Sequence, residues 1–284
     1  MTSPAGTALD RRRGEIEAAM GSQPPHPDAT VTSVAEPGFA GLRIDPAQFA
    51  DGPTLIHLHG GGFRLGSAAA WAPFLSHVAV QTRSRVLAVD YPLAPEHPYP
   101  AAAQACHAAA EWVAATSGSF VLSGDSAGAG LAAATALSLR AGVRPLHRAT
   151  MLLSPWVDLR VVNDSFTECG PTDSLFSARD AREAAAGYSA GHDVANPSLS
   201  PALGDWTGQP PVLVETSSTE VLRDDARHLA ARLLASGVTV WFREVLDQPH
   251  DWHITGPQSP AVRSSLDLMR DFVGMTSARD RVQA

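Results

Sequence analysis

The chain of 284 residues contains no lysine at all; every one of its 21 basic residues is arginine. That absence excludes Schiff-base catalysis, Ser-Lys dyads and the lysine of a phosphate-binding P-loop. There is no excess of positive charge either. The formal net charge is −8, which argues against nucleic acid or an anionic membrane as the main partner, since both favour basic surfaces. Cysteine is scarce: Cys106 and Cys169 stand far apart and match no metal-binding or redox spacing, so we expect two thiols and no metal centre. No apolar run approaches the ~18 residues of a membrane span. Residues 1–20 carry Arg11, Arg12 and Arg13 without a following apolar segment, so no signal peptide is expected and a cytoplasmic location is.

What is present is an ordinary globular composition with regular punctuation. Apolar runs at 31–35, 42–44, 54–58, 85–90, 120–122, 149–153, 212–215 and 239–243 read as strands. Several are apolar throughout, as expected for strands buried on both faces of a parallel sheet. Helical stretches fall at 7–20, 69–81, 101–115, 129–141, 178–190, 224–236 and 260–273. The alternation predicts an α/β fold, doubly wound, with function at the carboxyl ends of the strands. Residues 160–205 interrupt it with one helix among Pro-, Ser- and Asp-rich pieces. An insertion of that kind over the strand ends predicts a cap shared with the N-terminal helix.

Two glycine motifs carry chemistry. GDSAG at 124–128 lies between a predicted strand and a predicted helix, the context of a nucleophile elbow that lifts the Ser126 hydroxyl out of the sheet. HGGGF at 59–63 follows the strand 54–58, and its glycines let the backbone turn amides toward a substrate. Neither the G-x-G-x-x-G spacing nor the lysine of a nucleotide site accompanies it. The amides of Gly61, Gly62 and Ala127 are therefore the expected oxyanion hole. A serine, acid, histidine order requires a late histidine, which His250 and His253 both offer. Phe63, Leu65, Trp71, Trp156 and Tyr188 are candidates to line the pocket, and each reads equally well as core.

Further segments follow in order: DYPLAPEHPYPAA at 90–102, SPWVDL at 154–159, EVLRDD at 220–225 and PHDWH at 249–253. Together with the glycine motifs, over about residues 54–275, they resemble the bacterial hormone-sensitive-lipase-like esterases, family IV, in the branch with GDSAG at the elbow. The resemblance implies an α/β-hydrolase fold as one domain over 1–284. It implies a mostly parallel central sheet of about eight strands flanked by helices, and a small helical cap from about 1–35 and 160–205. It also implies cofactor-free hydrolysis of short- to medium-chain carboxylic esters or lactones. It places His250 at the base and Glu220 at the acid, where the family usually has aspartate; Asp224 is the alternative acid. Asp224 and Asp225 are otherwise explained as helix-start residues. Pro92 departs from the family, which usually has arginine there. A tailoring enzyme that cyclises, transfers or eliminates an acyl group shares every motif; a non-catalytic binding protein on a retired hydrolase scaffold is the other reading, against which the serine, histidine, carboxylate and HGGG loop are all present. A homodimer stays open.

Overall fold

The computed structural model describes residues 8–50 and 52–283; residues 1–7 of the expected N-terminal cap segment lie outside the described residues. The chain runs α1 (Ala8–Met20), β1 (Ala29–Glu36), β2 (Phe39–Pro46), β3 (Thr54–Leu58), α2 (Ala68–Thr82), β4 (Val86–Asp90) and α3 (Ala101–Thr116). It continues through β5 (Phe120–Asp125), α4 (Ser126–Ser138), β6 (His147–Leu153), the short α5 (Ser165–Glu168) and α6 (Ala178–Ser189). The last elements are β7 (Val212–Ser217), α7 (Arg223–Ala235), β8 (Val240–Val245) and α8 (Pro260–Gln283). The eight strands form one sheet in the order β1-β2-β4-β3-β5-β6-β7-β8. The β1–β2 and β2–β4 pairs are antiparallel, and β4-β3-β5-β6-β7-β8 are parallel.

Side-chain alternation divides the core into two layers. Phe120 and Leu122 of β5 join α3, α4, α7 and the cap residues Phe166, Ala181 and Tyr188 on one face. Val121 joins α2 and α8 on the other. Every residue of β3 and β5 is buried, which is why both segments read as unbroken apolar runs apart from the functional positions.

Arg12, Ile16 and Met20 of α1 and Leu175 and Phe176 between α5 and α6 line a cavity together with Ser126, which follows the end of β5. Arg13 ties α1 down through bonds to the carbonyls of Arg64 and Ala94 and to the carboxylate of Glu96. On α6, Tyr188 stacks on Phe63 at 4.0 Å between ring centroids. Residues 29–36, at the far end of the expected cap segment, instead form the antiparallel edge strand β1.

Candidate active site

Four strand ends supply the site: β3 the glycine loop, β5 the elbow, β7 the acid and β8 the histidine. The elbow joins β5 directly to α4, and Ser126 sits at φ +51°, a left-handed conformation that costs a non-glycine residue about 1–3 kcal/mol. Packing around the turn leaves room for glycine only. A Cβ on Gly128 would lie 1.9 Å from the carbonyl oxygen of Leu58, and one on Gly124 would lie 2.4 Å from the Gly128 backbone. The serine hydroxyl, held out of the sheet, bonds Nε2 of His250 at 2.9 Å.

His250 in turn donates from Nδ1 to Oε2 of Glu220 at 2.6 Å. Glu220 is fully buried, and its other oxygen accepts from the Thr216 hydroxyl and, at 2.7 Å, from the Ser217 amide. Burial alone would raise the Glu220 pKa, but the His250 bond and these two donors hold it below the ordinary carboxylate value. Burial likewise opposes protonation of His250, yet the carboxylates of Asp251 and Glu220 lift its pKa to about 10.

The glycine loop folds back over the serine. Gly61 and Gly62 have φ of +110° and +62°, and a Cβ on Gly61 would lie 2.3 Å from the Leu65 carbonyl oxygen. The Gly61 carbonyl accepts the amides of Arg64 and Leu65. Among the described residues, no protein acceptor takes the amides of Gly61, Gly62 or Ala127. For Ala127 this follows from its place in the first turn of α4, where helix amides have no intrahelical partner. His59 anchors the loop by donating from Nδ1 to the Gly60 carbonyl at 2.8 Å while stacking on Tyr91. His57 bonds Asp125 at 3.0 Å, and the Trp71 indole donates to the same oxygen at 2.9 Å.

A cavity of about 220 Å³ holds Ser126, His250, Gly61 and Gly62. Of the expected pocket residues, Leu65 and Trp71 line it; Phe63, Trp156 and Tyr188 do not. Those three form a buried aromatic stack behind the loop, because the positive φ of Phe63 (+63°) turns its ring inward onto Tyr188 and Trp156. Phe176, Leu175, Ile16, Met20 and Ile254 line the cavity instead. They come from α1, the cap and the segment after His250, where no motif marks them. A second cavity of about 260 Å³ shares Met20, Leu175, His250, Asp251 and Ile254 with the first, so the two meet at the histidine.

The other acidic residues sort by contact. Asp224 accepts the Ser165 amide and pairs with Arg223 and Arg227. Asp225 accepts the amides of Val157 and Asp158 and the Asn163 side chain. Neither caps α7, as the sequence had suggested, since the N-cap position is Leu222 with no side-chain bond. They fasten the helix start to the loop after β6 and to α5. His253 is fully buried, 3.5 Å from the Glu215 carboxylate and remote from the serine's bonds. One carboxylate escaped the sequence reading. Asp251 places Oδ2 3.2 Å from Nε2 of His250, because its left-handed backbone (φ +54°) swings the side chain back over the ring. Burial raises the Asp251 pKa well above the ordinary value against the pull of His250, and the anions Asp125, Glu220 and Asp173 add to the rise. Among the described residues, no group of three or more His, Cys, Asp or Glu side chains could hold a metal ion. Both cysteines are buried free thiols, and burial pushes Cys106 up to about 12.

An alpha/beta hydrolase fold family matches residues 55–254. Among curated proteins, the chain is 39% identical to an acetyl-hydrolase of Streptomyces hygroscopicus over 233 residues, covering 81% of this chain and 78% of that one. It is 30% identical to an esterase of Acinetobacter venetianus, covering 88% of this chain and 83% of that one. A crystal structure of an esterase from the bacterial hormone-sensitive lipase family superposes with a TM-score of 0.90 at 34% identity, over 96% of this chain and 92% of that one. Among the described residues, no helix is long and apolar enough to cross a membrane. With eight strands in the hydrolase order and relatives that are esterases along nearly their whole length, the chain belongs to the α/β-hydrolase family, in its hormone-sensitive-lipase-like branch, and is a carboxylesterase-type hydrolase.

Proposed function

We propose that the protein hydrolyses short- to medium-chain carboxylic esters, lactones included, through an acyl-enzyme on Ser126. The observation that carries this reading is the unbroken Ser126–His250–Glu220 hydrogen-bond chain beside the open amides of Gly61 and Gly62. His250 takes the Ser126 proton as Oγ attacks the carbonyl carbon. Glu220 fixes the tautomer that leaves Nε2 free and stabilises the imidazolium that forms. The carbonyl oxygen, now an oxyanion, is held by the amides of Gly61, Gly62 and Ala127, each worth about 3–4 kcal/mol of barrier in comparable sites. The imidazolium then protonates the leaving alkoxide as the carbon–oxygen bond breaks. Water repeats the sequence in reverse: His250 removes its proton, the acyl group leaves as a carboxylate, and Ser126 regains its hydrogen.

Cavity size supports modest substrates. The two cavities, about 220 and 260 Å³, meet at His250 and give separate room to the parts on either side of the reacting carbon. That the Streptomyces relative is named an acetyl-hydrolase supports the short end of the range. The net charge of −8 supports a small molecule rather than a nucleic acid as partner. Ser126→Ala is expected to abolish turnover of p-nitrophenyl acetate and butyrate, and labelling by an organophosphonate, while the circular dichroism and melting curve stay native. Retained hydrolysis in that variant would remove the serine from the mechanism. Labelling of wild-type Ser126 without turnover of any ester in the panel would favour the acyl-tailoring reading instead.

A further inference from the structure

The wall of the Ser126 cavity is mostly apolar, yet two arginines, Arg12 and Arg64, line it. Their neighbour Arg13 illustrates a committed arginine, with a carboxylate and two carbonyls as partners. Arg64 is held differently. Its Nε is buried with no hydrogen-bond partner, and its terminal nitrogen reaches only the Asp180 carbonyl at 3.5 Å. Among the described residues, no carboxylate oxygen lies within 4 Å of its guanidinium. Arg12 has a looser tie, 3.8 Å from the Asp180 carboxylate. Burial and the like charge of Arg12 push the Arg64 pKa below its ordinary value, with Asp180 and Glu183 opposing.

A partly dehydrated guanidinium without a counter-ion gains more from an incoming anion than a solvated or already paired one. Arg64 shares its cavity with Ser126 and with the apolar side chains of Ile16, Met20, Leu65, Trp71, Leu175 and Phe176. Arg12 and Arg64 both approach Asp180, Asp251 lies 3.2 Å from Nε2 of His250, and the two arginines line the same cavity as Asp251 and His250. An anion is drawn to the arginines, and that attraction orients a bound ester. We propose that Arg64, assisted by Arg12, is an anion subsite, and that the preferred substrates are carboxylic esters bearing a second, free carboxylate. This deepens the ester-hydrolase reading and rests on it.

The test compares matched esters. On the acyl side, p-nitrophenyl half-esters of succinate, glutarate and adipate are set against p-nitrophenyl butyrate and valerate. On the alcohol side, p-acetoxybenzoate is set against its methyl ester. The ratio of kcat/KM for anionic over neutral ester is expected to exceed one in one of the two series, which identifies the part of the substrate carrying the anion. It is expected to shrink as ionic strength rises. Arg64→Met should lower that ratio about tenfold or more, through KM, because a charge-assisted bond is lost. Arg64→Lys should restore part of it and Arg12→Gln should lower it less. A ratio at or below one in both series, or one unchanged in Arg64→Met, overturns the proposal. Should Arg64→Met not fold, the Arg12→Gln and Arg64→Lys ratios decide in the same way. Failure of the underlying reading has a separate signature: neither ester is turned over and Ser126 resists organophosphonate.

Discussion

Glu220 stands where the resembling family usually has aspartate, and its extra methylene has to be absorbed locally. Thr216 and Ser217, at the end of β7, do this by gripping Oε1, which leaves Oε2 aimed at His250. Asp224 has no free oxygen to offer; its carboxylate is taken by the Ser165 amide and two arginines. Glu220→Gln is therefore expected to lower kcat by about ten-thousandfold, since an amide favours the wrong imidazole tautomer. Asp224→Asn should leave kcat within a few-fold while lowering the melting temperature, and steady-state kinetics beside thermal unfolding separate the two outcomes. The sequence points to Ser126 and His250 because a turn motif and the triad order restrict the candidates to one or two positions, and the structure brings the two side chains into contact. The sequence does not point to Asp251, Arg12 or Arg64. Their places around Ser126 depend on where side chains meet in space, and a left-handed residue or a buried guanidinium nitrogen without a partner leaves no mark in a single sequence.

At the scale of elements, α4 explains why the sequence placed the sheet well and the helix start poorly. Strands buried on both faces, such as β3, β5 and β7, announce themselves as apolar runs, and all eight strands, the half-exposed β1 and β8 included, appear within a few residues of their expected positions. Helix α4 is expected from residue 129, after a turn over 124–128, but begins at Ser126 even though glycine, present at 128 and 130, is a poor helix former. Packing overrides that propensity. Gly128 passes against the Leu58 backbone, and a Cβ on Gly130 would lie 2.4 Å from the Trp156 carbonyl oxygen. The small residues let α4 approach β3 and the loop after β6 closely enough to hold Ser126 in its strained turn. Gly128→Ala is thus expected to destabilise the fold by about 3 kcal/mol or more, because the obstacle is backbone and cannot swing aside. The urea midpoint measures this. A midpoint shift worth less than about 1 kcal/mol would mean that the elbow can spread.

Across the whole molecule, acidic groups from separate elements converge on one imidazole. Glu220 arrives after β7, Asp251 after β8 and Asp173 from the segment between α5 and α6, while Asp125, at the end of β5, acts on Asp251. The cationic groups Arg12 and Arg64 stand elsewhere on the cavity wall, and His57, His77 and His253 are the other ionisable rings nearby. This field holds the proton on His250 up to about 10, although the base in the proposed mechanism must be neutral. Ester hydrolysis is therefore expected to rise with pH along a limb lying above 6.5, the ordinary histidine value. Stability runs the other way. A histidine whose folded pKa is raised contributes stability that is complete below 6.5 and lost as pH climbs toward 10. The raised Asp251 pKa has the same sign, so the melting temperature should fall over the range in which turnover increases. Asp251→Gly removes one of the converging charges at a left-handed backbone position that glycine adopts freely. It should move the activity limb down by about one pH unit or more, the usual effect of losing an opposite charge within contact distance. The plateau rate should fall at the same time, because a less basic imidazole is a weaker proton acceptor. A pH profile of kcat/KM from 5 to 10.5, measured beside the melting curves, decides it: an unmoved limb in a folded Asp251→Gly variant would assign the alkaline shift to Glu220 and Asp173.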